Sequence, residues 1–259
     1  MKITSKVKNS VKYQVLKKPL TLKKRHDYCA SKHPKLTVIM LHGIASSAGT
    51  YEHALIHLEK NPSLKDVRFI TLDWLGHGKS YASKKLGYTI SEQIKALNTT
   101  IKNLRIATPI ILMGHSMGTV LAAHFSIKYP KVAQEMILIS TPIYSEKDLE
   151  DPRLEEGMKA FTAAVARYQK KFIESKQFLA SMEQVVKSPK NYEAFANISV
   201  PTTIFYGAED TYILPSNIRA IAKNNPYIKA VKTEGKHHVS RDKYYRFDDL
   251  LLASLKKIK

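Results

Sequence analysis

A mainly parallel α/β sheet with helices on both faces is what this sequence predicts, interrupted once by a helical insertion. Three observations predict it. Short, continuous apolar and β-branched runs recur along the chain, as strands buried on both faces require. Between them lie stretches with apolar residues at helical spacing, two of them stopped by Asn61-Pro62 and by Pro130. The alternation breaks only across residues 142–197, where helical periodicity continues without a strand-like run. Alternation of this kind implies parallel strands joined by right-handed crossovers.

Residues 13–16 and 20–28 read as a weak hairpin at a sheet edge. Leu36-Thr-Val-Ile-Met-Leu41 is the clearest strand and ends at His42-Gly43. A helical pattern over 49–60 is stopped by Asn61-Pro62. Residues 67–72 read as a strand, 75–88 as a glycine-bearing loop, and 91–104 as a helix carrying Ile94, Leu97, Ile101 and Leu104 on one face. Residues 109–113 form a third buried strand, 117–129 a helix ended by Pro130, and 135–140 a fourth strand. After the insertion, whose periodicity runs through Met158, Phe161, Val165, Tyr168 and Phe172, the rhythm resumes. Strand 202–206, helix 215–224, strand 228–233 and helix 244–256 complete it. The expected organisation is a core in two parts, 1–141 and 198–259, with 142–197 inserted between them.

Size and composition agree with one large core. The chain has 259 residues, 44% of them hydrophobic and 25% charged, which is ordinary for a globular domain. Its charge is less ordinary: 42 Lys+Arg against 22 Asp+Glu give a formal +20. The basic residues are scattered, with no arginine-rich stripe and no interleaved aromatics, so they read as a solvated surface. No nucleic-acid partner is expected, while weak contact with an anionic membrane stays compatible with the charge. The single cysteine, Cys29, excludes an internal disulfide and any cysteine-based metal cluster. The basic start MKITSKVKNSVKYQ lacks the apolar run of a secretory signal, and no stretch approaches the roughly 18 apolar residues that span a bilayer. The expected location is the cytoplasm.

The strongest chemical signal is Gly114-His115-Ser116-Met117-Gly118, a G-x-S-x-G sequence between a buried strand and a helix. A serine on such a sharp turn sits in strained backbone geometry, and small neighbours let the chain pass closely. A serine hydroxyl is a weak nucleophile and needs a base, which in turn needs an orienting carboxylate. Downstream histidines are His124, inside the following helix and badly placed to swing back, and the pair His237 and His238 after the last strand. Asp210 closes the loop Gly207-Ala-Glu-Asp after strand 202–206 and supplies an acid in the required order.

Four blocks carry a resemblance that covers nearly everything from Leu36 to Leu252. They are Leu41-His42-Gly43-Ile44, Asp73-Trp-Leu-Gly-His-Gly-Lys-Ser80, Gly114 to Gly118, and Val200-Pro-Thr-Thr-Ile-Phe-Tyr-Gly-Ala-Glu-Asp210. In that order they resemble the α/β-hydrolase family, particularly its esterase- and lipase-like members with a helical cap. The resemblance implies the α/β-hydrolase fold, with 142–197 as the cap. It makes Ser116 the nucleophile and Asp210, rather than its neighbour Glu209, the acid. The family's G-x-x-H count from Gly235 reaches His238 as the base and leaves His237 beside it. The backbone amides of Ile44 and Met117 become the oxyanion hole, and His42, Asp73, His77 and Ser80 become structural. Met158, Phe161, Phe172, Phe178, Leu179 and Met182 are expected to line an apolar pocket or pack the cap.

Related dehalogenases and epoxide hydrolases carry aspartate where Ser116 stands, so serine points to acyl transfer. The expected reaction is hydrolysis of a small-molecule carboxylic ester with a small to medium apolar acyl group. A proline iminopeptidase or C–C hydrolase would use the same three residues, and a non-catalytic relative would normally have lost one of them. No metal or organic cofactor is implied.

Overall fold

The computed structural model describes residues 19–169, 173–237, 248, 251–253 and 256–257. Its centre is a seven-stranded sheet in the order β1-β3-β2-β4-β5-β6-β7. The strands are β1 (Lys23–Tyr28), β2 (Leu36–Leu41), β3 (Val67–Asp73), β4 (Ile110–His115), β5 (Glu135–Ile139), β6 (Thr202–Gly207) and β7 (Ile228–Thr233). All neighbours run parallel except β1, which joins β3 antiparallel at the edge. The expected partner arm at residues 13–16 lies outside the described residues.

The apolar runs of β2, β4 and β5 follow from burial on both faces. Successive strand residues point to opposite sides. Ile39, Leu41, Leu112 and Leu138 enter one apolar layer, whereas Val38, Met40, Met113 and Ile137 enter the other. Helix α1 (Glu52–Lys60) packs in the second layer and follows a 3₁₀ turn over Ala48–Tyr51, where the sequence suggested one continuous helix. Asn61 ends α1 by accepting from the Ser63 amide. Helix α2 (Ile90–Asn103) begins at a reciprocal cap between Thr89 and Glu92. Residues 248, 251–253 and 256–257, within the helix expected at 244–256, are helical, and the rest of that stretch lies outside the described residues.

Helix α3 (Met117–Lys128) carries no strong apolar stripe because it is buried nearly all round. The sheet covers one side of it and the helices between β5 and β6 cover the other. Those helices are α4 (Glu146–Leu149), α5 (Pro152–Gln169), α6 (Ser175–Ser181), a π-helical turn over Met182–Val186, and α7 (Lys190–Ala196). Helix α8 (Pro215–Asn224) joins β6 to β7 and starts with proline at its first turn, where a missing N–H costs nothing. Across the α3–α7 seam, His124 Nε2 donates to Asn191 Oδ1 at 2.9 Å, and Asn191 Nδ2 donates on to the carbonyls of Val185 and Val186. That chain of bonds holds the His124 ring away from Ser116.

Candidate active site

The carboxyl ends of β2, β4, β6 and β7 converge on one edge of the sheet. In open parallel sheets that edge is where ligands bind. At β4 the chain turns directly into α3, and Ser116 takes φ 50° and ψ −120°, a conformation costly for any residue with a side chain. The strain is held from several directions. The Ser116 amide donates to the Ile139 carbonyl at 2.9 Å, while the Thr119 amide and hydroxyl both donate to the Ser116 carbonyl. The two motif glycines are required by close approach. A Cβ on Gly114 would stand 2.8 Å from the backbone of Gly118, and one on Gly118 would stand 2.2 Å from the Leu41 carbonyl oxygen.

The turn after β2 packs against the elbow. His42 is fully buried, its Nε2 accepts from the Trp74 amide at 3.1 Å, and its Nδ1 lies 2.7 Å from the Gly43 carbonyl oxygen. A backbone amide can only donate, so Nδ1 must carry the ring proton and donate it to Gly43. Burial holds His42 down to about 4, so the ring is neutral and braces the turn. Asp73, buried at the end of β3, ties the same region together by accepting from the amides of Ala48 and Lys79. Ser80 donates to the Asp73 carbonyl, and Gln93 exchanges two hydrogen bonds with the Leu75 main chain. His77 is also buried, and burial, with His42 alongside, lowers it to about 3. These contacts hold Ile44 beside Ser116. Met117 opens α3, where first-turn amides have no partner inside the helix.

The acid and base arrive from the other side of the sheet. After β6, Gly207 lets the chain run against the β7 loop, where a Cβ would meet the Gly235 carbonyl at 2.2 Å. The Ala208 amide donates to Thr233 and the Glu209 amide to Gly235, which fixes the two loops in register. Asp210 is buried and its neighbour Glu209 is exposed. His237 Nδ1 sits 2.9 and 3.0 Å from the two carboxylate oxygens of Asp210, and His237 Nε2 sits 3.0 Å from Ser116 Oγ. A carboxylate accepts, so Nδ1 carries the proton and Nε2 is left to accept from the serine hydroxyl.

The histidine between Asp210 and Ser116 is therefore a correction to the motif count. The place that G-x-x-H gave to His238 is filled by His237, and His238 itself lies outside the described residues. At Gly235 the chain takes φ 99°, a conformation that favours glycine, and the residue two positions on lies 3.0 Å from the serine hydroxyl. Nothing in the local sequence shows that the turn is one residue shorter.

Two further side chains hold the base and carry no motif signal of their own. His115 Nε2 donates to the His237 carbonyl at 2.9 Å, and Tyr212 sets its ring edge-on to His237 at 5.4 Å between centroids. Tyr144, whose phenol burial pushes upward, stays protonated and donates to the Tyr212 carbonyl at 2.6 Å.

Ser116 stands where two cavities meet. One is a wide cleft of about 880 Å³ of mixed character, bordered by Ser46, Ser47, Thr50, Glu209 and Lys236 and by Phe161, Ala164 and Val165. The other is an apolar pocket of about 60 Å³ reaching under α5, with Tyr144, Leu154, Met158, Phe161, Met182 and Val186 in its walls. Of the side chains the sequence suggested for a lining, Met158, Phe161 and Met182 face this pocket. Phe178 is buried in the core, Leu179 is 55% exposed, and Phe172 lies outside the described residues. Among the described residues there is no cluster of three or more His, Cys, Asp or Glu able to hold a metal, and no helix long and apolar enough to cross a membrane.

Comparison with known proteins agrees with this architecture. A family model described as serine aminopeptidase, S33, matches residues 32–197, more than half of the chain. The probable lysophospholipase BODYGUARD 1 of Arabidopsis thaliana is 29% identical over 109 residues, which is 42% of this chain and 23% of that protein. A monoglyceride lipase homolog of monkeypox virus is 29% identical over 112 residues, 42% of this chain and 39% of the relative. The chain thus spans well under half the length of these curated relatives. Among solved structures, an esterase from Exiguobacterium antarcticum superposes with a TM-score of 0.71 at 20% identity, covering 91% of this chain and 96% of that one. A bromoperoxidase from Bacillus anthracis gives 0.72 at 18% identity, covering 93% and 97%. At those identities the likeness establishes the fold alone. With the family model covering most of the sheet and the elbow, the chain belongs to the serine aminopeptidase S33 family of α/β-hydrolases.

Proposed function

We propose that the protein is a serine esterase that cleaves carboxylic esters with short apolar acyl groups through an acyl-enzyme. The observation that carries the reading is the Ser116–His237–Asp210 relay, bonded at 3.0 and 2.9 Å, at the mouth of an apolar pocket. Ser116 Oγ attacks the ester carbonyl carbon as its proton passes to His237 Nε2, and Asp210 stabilises the imidazolium that results. The oxyanion is received by the amides of Ile44 and Met117, donors typically worth about 3 kcal/mol each in the transition state. Collapse breaks the carbon–oxygen bond and His237 returns its proton to the departing alkoxide. Water then attacks the acyl-enzyme by the same route, giving the carboxylic acid and free serine.

The two cavities suggest which part of the ester goes where. The apolar pocket, at about 60 Å³, is small beside the cleft and suits a short acyl chain. The wide cleft, edged with hydroxyls and two opposite charges beside Phe161, Ala164 and Val165, has room for a larger alcohol with polar and apolar parts, in keeping with relatives called lysophospholipase and monoglyceride lipase. Aminopeptidase activity, which the family description names, is less favoured. It needs a held carboxylate for the substrate's amino group, and Glu209, the carboxylate bordering the cleft, is exposed beside Lys236.

The test is hydrolysis of p-nitrophenyl esters from acetate to decanoate by purified protein, with Ser116→Ala in parallel. The reading expects a rate that peaks near butyrate and disappears in the variant. Equal background rates for both proteins on every ester would overturn it.

A further inference from the structure

We propose that Gly157 sets the upper size of the acyl group, by leaving a gap in the otherwise bulky face that helix α5 turns to the pocket. This rests on the esterase reading for what fills the pocket, but the argument for the residue is independent of it. Helix α5 turns residues 154, 157, 158 and 161 toward the pocket, the i, i+3, i+4, i+7 spacing of one helical face. Three of the four are Leu154, Met158 and Phe161. The fourth is glycine, in the interior of a helix of 18 residues, where it weakens the helix relative to alanine.

Packing gives no reason for that weakness. A Cβ built on Gly157 meets no heavy atom within 4 Å, and its φ is not in the left-handed region. At Gly114, Gly118 and Gly207 a Cβ would strike backbone at 2.8 Å or less, so those glycines are obligatory for the fold. Gly157 is not. Met182 and Val186, at the two ends of the π-helical turn, line the same pocket, as do Tyr144 and His237. Gly157 is half-buried in the pocket lining, and the space a side chain there would take is open. Because the volume is about 60 Å³, even four extra carbons there would occupy most of it.

The experiment compares the native protein with Gly157→Ala and Gly157→Leu in two series, p-nitrophenyl esters of two to eight acyl carbons and binding of n-alkylboronic acids of matching length. Boronic acids bond to an active-site serine and read the pocket without turnover. Gly157→Leu is expected to lower the butyrate-to-acetate ratio of kcat/KM by about 10- to 200-fold, the range one or a few misfitted methylenes command. The butyl-to-methyl boronate affinity ratio should fall in step, with Gly157→Ala intermediate. Melting temperatures at or above native would show that both variants fold. If the native protein cleaves no ester but boronate affinities still separate it from Gly157→Leu, the esterase reading falls and the role of Gly157 stands. If esters are cleaved and all three proteins rank the chain lengths alike, Gly157 has no such role. Loss of the length preference in neither series but of all activity equally would also overturn it.

Discussion

At the elbow, a methyl group on Gly118 would stand 2.2 Å from the Leu41 carbonyl oxygen. Across the cavity, a methyl group on Gly157 would meet no heavy atom within 4 Å. The elbow belongs to the sheet. Its geometry is dictated by backbone against backbone, and little freedom is left in what residues can stand there. The wall formed by α5 and the π-helical turn is built from side chains over a hollow. Residues there answer to whatever fills the space. One side of the site is fixed by the fold and the other is adjustable.

The sharpest way to break that division is to remove groups on the fixed side. Ser116→Ala and His237→Ala should each lower kcat on the order of 10⁶-fold, because a relay that acts as a unit fails as a unit. Asp210→Asn should cost about 10⁴-fold by allowing the wrong imidazole tautomer. Steady-state kinetics on the best p-nitrophenyl ester, with thermal melts to show retained folding, measures all three. His238→Ala should retain most of the activity, and the reverse ranking of the two histidines would mean that the chain after Gly235 takes a different path.

Gly118→Ala comes next. The clash is with main chain in a buried strand, so it should cost about 3 kcal/mol or more, read as a drop of about 10 °C in Tm or as failure to recover folded protein. Acid should also strike the fixed side. Burial holds the folded-state values of His42 and His77 at about 4 and about 3, below the 6.5 of an exposed histidine. Below pH 6.5 the unfolded chain therefore binds protons that the folded one refuses, and stability is lost as pH falls from 6.5 toward 4. Between those limits each ring contributes about 1.4 kcal/mol per pH unit, or about 2.7 for the pair. Urea unfolding at pH 7 and pH 5 measures the loss. Imidazole ¹⁵N shifts at pH 5 should show both rings still neutral, with His42 protonated at Nδ1. The smallest expected effect is on the adjustable side and has the opposite sign: Gly157→Ala should raise stability by about 0.5–1 kcal/mol.

The same division explains what could be read in the sequence. Alternating runs such as Leu36–Leu41 announce buried strands because every residue of β2 is inside. The four blocks around 41–44, 73–80, 114–118 and 200–210 stand out because close backbone contacts admit few residues there. Ser116 and Asp210, singled out from those blocks, are brought together in the structure through a histidine. Which histidine is illegible in the sequence, since two stand side by side and only the path of the backbone after Gly235 brings His237 to the serine. The 3₁₀ turn before α1 and the π-helical turn at Met182–Val186 were equally hidden, as both are settled by packing over the site. Tyr212, Tyr144 and Gly157 carry no motif, and their place becomes apparent only when the walls of the pocket are assembled.

The bond between Ser116 and His237 joins residues 121 positions apart, across three intervening strands in the chain. Closing so long a loop is slow relative to local pairing. Trp74, the single tryptophan, is buried with its indole nitrogen on the His42 carbonyl, on the early half of the sheet. In refolding, tryptophan fluorescence should therefore recover before ester hydrolysis does. The Ser116 elbow needs only contacts up to Ile139, whereas its bond to His237 waits on β6 and β7, so the site is the part of the fold that depends on the whole chain.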